Sequence, residues 1–146
     1  MSNLTHEELT NYAGRWLEFS EKCRVVITEA QGVVEKPDAI GFTYITSVLV
    51  EAKVSRSDFM RDKDKFSRKN TRHACGQYRY YICENGLITM KDLPARWGLL
   101  YVNPNGSIYK ARFAYPFEYT ISMMRNERNL LLSAYTKVWQ SKKRKW

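Results

Sequence analysis

Three charged residues lie at the ends of two apolar segments, where a charge removed from water needs a partner. Asp38 stands immediately before the apolar run Ala39–Ile45. Glu51 and Lys53 follow the second run, Ser47–Val50. Desolvation of a carboxylate is costly unless a metal ion, a cation or hydrogen-bond donors compensate for the lost water. The pattern therefore indicates a divalent-metal site, and such a site suits the hydrolysis of phosphodiester bonds.

The two carboxylates can meet only if their segments pair in the right register. A tight turn near Tyr44–Ser47 would make the segments antiparallel strands, which sets Asp38 opposite the end of the second strand. Because side chains alternate along a strand, Glu51 and Lys53 then point to one face of the sheet and Ala52 to the other. We expect both carboxylates and the ammonium group to share that first face.

The expected ion is Mg²⁺ or Mn²⁺, because hard divalent cations prefer oxygen ligands and tend to retain waters. Asp38 and Glu51 would be the carboxylate ligands, and the backbone carbonyl of Ala52 would supply a third oxygen. Lys53 would orient the attacking water, help to deprotonate it or stabilise the transition state, although not as the sole base. An ion pair of Lys53 with Glu51 or Asp38, which needs no metal, is the alternative interpretation.

Hydrophobic periodicity predicts an α/β domain in which helices cover the faces of a mixed sheet. Thr5 and Glu8 fit a capping box at the first helix, and Ser57 fits the N-cap of the second. One domain is expected over residues 1–140, followed by a flexible basic tail, 141–146. In chain order we expect a helix Glu7–Lys22, strands Arg24–Glu29, Asp38–Tyr44 and Thr46–Val54, a helix Asp58–Lys69, a strand Gln77–Cys83, hairpin strands Trp97–Val102 and Ser107–Phe113, and a helix Glu118–Gln140.

Two motifs carry a resemblance to a known family. Pro37-Asp38, and then Glu51-Ala52-Lys53 at the end of an apolar strand, resemble the PD-(D/E)XK nuclease superfamily. The longer run EAKVSRSDF is similar to the small bacterial MmcB-like DNA-repair branch. The resemblance covers roughly residues 5–112 and implies an αβββαβ restriction-endonuclease-like core, here with a β-hairpin and a C-terminal helix added. It also implies metal-dependent cleavage of DNA in repair, recombination or phage DNA processing.

Two further positions are weaker candidates. Some metal nucleases place an extra carboxylate on their first helix, which makes Glu18 a candidate auxiliary ligand, although a solvated surface glutamate is the simpler interpretation. Gln77 and Tyr81 match a Q-x-x-x-Y pattern that resembles some members of the superfamily, where it lies on a helix near the metal. Here the segment is predicted to be a strand, which favours a core role for its tyrosines.

The net charge of +9 favours a polyanionic partner, most simply nucleic acid. Phosphate contacts of this kind weaken as the salt concentration rises. Whether the DNA is double-stranded, branched or single-stranded is not decided by the sequence. The residues expected to bind the nucleic-acid backbone, or a flanking base, follow the proposed metal site: Ser55, Arg56, Ser57, Lys65, Arg68, Lys69, Arg72, Gln77 and Arg79.

Composition argues against several other classes of protein. A hydrophobic content of 44% is that of a globular chain, and the N-terminus resembles neither a signal peptide nor a membrane span, which favours the cytoplasm. Cys23, Cys75 and Cys83 are expected to be reduced thiols, since two histidines supply a zinc site poorly. Two alternatives to a nuclease stay open: a catalytically inactive DNA-binding module, and a protein-interaction domain that forms a homodimer through the Glu118–Trp139 helix.

Overall fold

A computed structural model describes residues 3–28, 37–68 and 74–145 of the chain, with the backbone alone described for residues 63–68. Each predicted helix and strand is confirmed, with bounds that shift by a few residues. Glu29 and Lys69, which end two of the predicted elements, lie outside the described residues. The elements are α1 (His6–Phe19), β1 (Val25–Thr28), β2 (Ala39–Phe42), β3 (Ser47–Ala52), α2 (Arg56–Arg68), β4 (Tyr78–Glu84), a 3-10 turn (Met90–Asp92), β5 (Gly98–Val102), β6 (Ile108–Arg112) and α3 (Ile121–Lys143).

The six strands form one mixed sheet in the order of the sequence, from β1 to β6. β1, β2 and β3 pair antiparallel, as expected for strands joined by short turns. β3, β4 and β5 are parallel, and each parallel pair needs a crossover, which α2 supplies between β3 and β4. β5 and β6 form the predicted antiparallel hairpin. The chain is therefore a mixed α/β fold in which helices flank the sheet.

Each face of the sheet carries its own hydrophobic core. On one face α1 packs against alternate residues of the strands, among them Val50, Ala52 and Ile82. On the other face Phe59 of α2 and Leu130 of α3 pack against the intervening residues. All six residues of β3 are buried, because this central strand is covered on both sides. The end of β3 is thus a place where polar side chains leave water.

The helix ends follow local sequence signals, with one correction. The Thr5 side chain accepts from the backbone of Glu8, and the Glu8 carboxylate accepts from Thr5, so the predicted capping box is confirmed. The prediction of Ser57 as the second N-cap is wrong. The Ser55 hydroxyl accepts from the Asp58 backbone N–H at 3.1 Å, which starts α2 at Arg56.

Helix α3 differs from the expected C-terminal segment in two respects. It continues to Lys143, so the tail predicted to be flexible from residue 141 is helical over its first three residues. Its buried residues are confined to the first half, namely Met123, Glu127 and Leu130. None of the helices within residues 3–28, 37–68 and 74–145 combines the length and hydropathy that crossing a bilayer requires.

The three cysteines are buried and form no disulfide. Burial raises the pKa of the Cys23 thiol to about 11 and that of Cys83 to about 12. The thiolate is the reactive form of cysteine, so these two thiols are poor nucleophiles at neutral pH. Their role is packing. His73, the histidine nearest to Cys75 in sequence, lies outside the described residues.

Candidate metal centre

The register of β2 and β3 sets the two predicted ligand residues at neighbouring positions. Ala39 lies opposite Val50, so Asp38, one residue earlier, lies next to Glu51, one residue later. The Asp38 Oδ2 atom accepts a hydrogen bond from the backbone N–H of Ala52 at 2.8 Å. This bond fixes the Asp38 carboxylate across the strand pair. The antiparallel arrangement expected from the sequence is therefore present.

His6 is a further member of the site that the sequence did not indicate. Its Nε2 atom lies 3.1 Å from the Oδ1 atom of Asp38, and its side chain is half-exposed. The capping box at Thr5 makes His6 the first residue of α1, and the packing of that helix on the sheet brings it to the end of β2. The contact joins residues far apart in the chain, so periodicity and spacing could not reveal it.

Side chains at the end of β3 alternate as predicted. Ala52 belongs to the core beneath α1, whereas Leu49, which shares a face with Glu51, belongs to the core beneath α2. Glu51 and Lys53 are 7% and 4% exposed, so both charged groups are largely removed from water. A desolvated carboxylate and a desolvated ammonium group interact with nearby charges more strongly than surface groups do.

Lys53 forms an ion pair that the sequence analysis did not predict. Its ammonium group pairs with the Oδ2 atom of Asp62 on α2. Asp62 is one third exposed, and it holds Lys53 from the helix side of the site. The signal for this contact was present in the sequence, because Asp62 follows Glu51 and Lys53 closely and lies in the second turn of α2.

Carboxylate and carbonyl oxygens, the ligand type that Mg²⁺ and Mn²⁺ prefer, lie at this end of the sheet. Asp38 and Glu51 supply two carboxylates, and Ala52 is the residue between Glu51 and Lys53 whose carbonyl could add a third oxygen. Within the described part of the chain, no three His, Cys, Asp or Glu side chains lie together as metal ligands. Two carboxylates suit Mg²⁺, which keeps several waters, better than Zn²⁺, which takes three or four protein ligands.

Glu18, the predicted auxiliary ligand, is not brought to this site. It lies near the C-terminal end of α1 and is exposed, whereas His6 at the other end touches Asp38. At a rise of about 1.5 Å per residue, the two positions are roughly 18 Å apart along the helix axis. The interpretation of Glu18 as a solvated surface residue fits the structure.

Seven of the nine predicted DNA contacts divide into three groups. Ser55, two residues after Lys53 in the chain, caps α2, and its hydroxyl lies 3.2 Å from that of Ser57 at the helix start. The side chains of Lys65 and Arg68, and the whole of Lys69 and Arg72, lie outside the described residues. Gln77 lies at the start of β4, where its side chain accepts from the Thr46 hydroxyl at 2.5 Å.

Arg79 is the one predicted DNA contact that burial contradicts. It is 1% exposed, its Nε atom donates to the Gly76 carbonyl at 2.9 Å, and its guanidinium lies 4.3 Å from the centre of the Phe117 ring. β4 is a central strand covered on both faces, so a charged residue in its middle must find partners inside the protein. Its role is to join β4 to the chain before α3.

Arg56 is held by a surface ion pair instead of facing solvent alone. Its two terminal nitrogens donate to the two carboxylate oxygens of Asp92 at 2.8 and 3.1 Å, and one also donates to the Leu87 carbonyl. The hydrogen bonds from Arg56, with a further one from the Thr89 backbone, hold the pKa of Asp92 well below its usual range. This pair ties the start of α2 to the connection between β4 and β5.

The Asp92 pair predicts a pH dependence of stability. Because the pKa of Asp92 is lower in the folded state, its contribution is present above the unfolded pKa of about 4 and is lost as the pH falls below it. In urea titrations, the difference in unfolding free energy between the wild type and Asp92→Asn should be constant from pH 5 to 8 and shrink from pH 4 downwards. A difference that grows on acidification would contradict the assignment.

Comparison with known proteins adds information on the fold. No protein-family model matches the chain, and no curated protein matches it. The structure is similar to that of a protein of unknown function from Silicibacter pomeroyi, with a TM-score of 0.69 and 17% sequence identity. The match covers 93% of this chain and 90% of that chain. At this identity the likeness shows that the two proteins share a fold over nearly their whole length, α3 included.

Proposed function

We propose that this protein is a Mg²⁺- or Mn²⁺-dependent nuclease of the PD-(D/E)XK type that hydrolyses phosphodiester bonds in DNA. The observation that carries the proposal is the register that sets Asp38 beside Glu51, with Lys53 two residues further along the same strand end. The order of helices and strands, with a parallel crossover after β3, supports it. DNA repair, recombination or phage DNA processing is the setting that the motif resemblance favours.

Each residue of the site has a distinct role in this proposal. Asp38 and Glu51 would hold the ion, which, when bound, lowers the pKa of a water and neutralises charge on the phosphate. The Ala52 N–H keeps the Asp38 carboxylate aligned through its hydrogen bond. An ammonium group has three hydrogens, and Lys53 gives one to Asp62, so the others can donate to a phosphate oxygen or to the attacking water. Asp62 is therefore a positioning residue for Lys53.

A plasmid nicking assay tests the proposal. Supercoiled DNA incubated with the protein in Mg²⁺ or Mn²⁺ should be converted to nicked and linear forms, and EDTA should stop the conversion. Branched and single-stranded substrates belong in the same experiment, because the sequence left the substrate open. Salt-sensitive DNA binding without cleavage under any of these conditions would instead support a non-catalytic DNA-binding module.

One surface supports a second candidate function, a protein-interaction module. In the C-terminal half of α3, Leu132, Tyr135, Val138 and Trp139 each expose 40% or more of their surface and lie on one side of the helix. Contiguous exposed apolar residues of this kind mark interaction sites in soluble proteins. A homodimer through this face is the simplest form of the idea.

If this face forms a homodimer, one charged substitution in it should dissociate the dimer. Light scattering should give the wild type a mass of twice the 17.2 kDa of one chain, and Leu132→Asp the mass of one chain. The substitution would bury a carboxylate without a partner in the dimer interface. Leu131 packs partly against the core and is a poorer test position. Ser133→Asp, on the polar side of the helix, is the matched control and should leave the mass unchanged. A wild-type protein that is monomeric at micromolar concentration would exclude this dimer.

A further inference from the structure

A groove runs along α1 on the side that faces the β5–β6 hairpin. Two recesses form it, of about 420 and 400 Å³, and Tyr12 lines both, so they are neighbours along the helix. The first recess is bounded by Asn3, Leu4, Glu84, Asn85, Val102 and Asn103, and the second by Arg15, Trp16, Phe19, Gly106 and Ile108. Volumes in this range are those of ligand-binding clefts.

Aromatic rings and cations lie in and beside the second recess: Phe19 and Arg15 line it, and Lys110 and Phe113 lie beside it, next to Trp16. Phe19 is 65% exposed and Phe113 is 69% exposed, although both are large apolar side chains. The Arg15 guanidinium lies 4.8 Å from the centre of the Tyr12 ring. The Lys110 ammonium lies 4.6 Å from the centre of the Phe113 ring. Proteins that bind single-stranded nucleic acids combine exposed aromatic rings with nearby cations. The bases stack on the rings, and the phosphates contact the cations.

Several contacts fix the position of the Lys110 side chain. Its ammonium also lies 5.3 Å from the centre of the Trp16 ring and 3.4 Å from the Oε2 atom of Glu21. Trp16 in turn packs edge-on against Tyr80, with ring centres 5.1 Å apart. Lys110 of β6 is therefore held against Trp16 and Glu21, beside the exposed Phe113. Glu21 offsets part of the positive charge, so stacking must supply more of the binding than phosphate attraction does.

The first recess lies at the same edge of the sheet as the candidate metal centre. Glu84 and Val102 end the parallel strands β4 and β5, at the same edge of the sheet as the end of β3. The Asn3 backbone N–H donates to Glu84 at 3.0 Å, and Asn3 stands three positions before His6, which touches Asp38. Amide and carboxylate side chains hydrogen-bond to the edges of bases.

We propose that this groove binds single-stranded DNA and delivers it to the Asp38–Glu51 centre. The inference rests on the proposed nuclease function and names its substrate. Bases stack on Phe19 and Phe113, Arg15 and Lys110 contact the phosphates between them, and the asparagine-lined recess takes a base next to the reacting phosphate. A duplex fits this surface poorly, because its bases already stack on one another and cannot lie flat against exposed rings.

A binding measurement in EDTA tests the groove without depending on cleavage. Fluorescence anisotropy with a labelled 12-nucleotide oligothymidine should show tighter binding than with a duplex of the same length. Phe19→Ala and Phe113→Ala should each weaken oligothymidine binding about tenfold. Tyr44→Ala is the matched control, because Tyr44 is 84% exposed and lies 4.8 Å from the Arg24 guanidinium, but on the β2–β3 turn outside the groove. That variant should bind like the wild type.

The outcomes separate this inference from the nuclease proposal. Plasmid or duplex cleavage, with oligothymidine binding unaffected by both phenylalanine substitutions, would overturn the groove and leave the nuclease standing. Oligothymidine binding that the two substitutions weaken, in a protein that cleaves no DNA, would support the groove and contradict the nuclease. Absence of oligothymidine binding in the wild type, as expected if the exposed rings dock a protein partner, would also overturn the inference.

Discussion

Replacing Glu51 by glutamine is expected to lower the rate of DNA cleavage about a thousandfold. The substitution keeps the shape of a side chain that is almost fully buried, but it removes the negative charge that would hold the ion beside Asp38. A neutral amide is a weak ligand for a hard divalent cation, so the loss falls on the chemical step. The measurement is the single-turnover rate of plasmid nicking in saturating Mg²⁺, compared with the wild type.

Glu18→Gln is the matched control for this substitution. It makes the same chemical change on the exposed side of α1, far from Asp38, and should leave the rate unchanged. Thermal unfolding curves of both variants should stay close to that of the wild type, which separates loss of activity from loss of fold. A Glu51→Gln protein that cleaves DNA at the wild-type rate would contradict the assignment of Glu51 as a metal ligand.

Replacing Glu127 by alanine is expected to lower the free energy of unfolding by about 3–5 kcal/mol. This α3 carboxylate is buried and accepts hydrogen bonds from the Ser47 hydroxyl at 2.6 Å, from the Gly76 backbone N–H at 2.7 Å and from the Tyr119 hydroxyl. Alanine would leave three donors without an acceptor in a place that water reaches poorly. Burial and the bond to Glu127 also raise the pKa of Tyr119 well above its usual range, so its hydroxyl remains a donor.

Urea titration checks the Glu127 prediction. Asn129→Ala is a suitable control, because Asn129 lies on the same helix and is exposed, and its loss should change stability by less than about 0.5 kcal/mol. The network lies at the start of β3, at the opposite end of the strand from Glu51, so the folded fraction of Glu127→Ala should still cleave DNA. A stability loss below 1 kcal/mol would show that α3 does not depend on this carboxylate.

The order of elements and the pairing at the site followed from local sequence. Alternation and short turns are properties of neighbouring residues, so the β2–β3 pair, and with it the neighbouring positions of Asp38 and Glu51, could be predicted. The capping box likewise allowed the start of α1 to be predicted. These features involve residues close in the chain, where the geometry of a strand or helix turn determines which residues can contact each other.

The contacts that the sequence did not reveal join distant parts of the chain. His6 reaches Asp38 only because α1 packs across the sheet, and Glu127 reaches Ser47 only because α3 folds back over the other face. The burial of Arg79 had a local signal, since apolar residues and tyrosines surround it in a central strand. The positive net charge favoured the prediction that Arg79 contacts phosphate, but net charge does not indicate which basic residues are exposed.

Helix α2 shows how one residue can shift both a structural and a functional prediction. Ser55 and Ser57 are both able to cap a helix, and only the hydrogen bond from Asp58 shows that Ser55 does so. The helix therefore starts at Arg56, and Asp62 further along it pairs with Lys53. Lys53 is consequently held from α2.

The most direct test of the central claim is a crystal of the protein soaked in Mn²⁺ and measured for anomalous scattering. A single strong peak should lie between the carboxylates of Asp38 and Glu51, about 2 Å from an oxygen of each, and should be absent from Glu51→Gln crystals soaked in the same way. A saturating soak that gives no peak between these two carboxylates, or a peak only elsewhere on the protein, would contradict the assignment of this strand end as a metal centre.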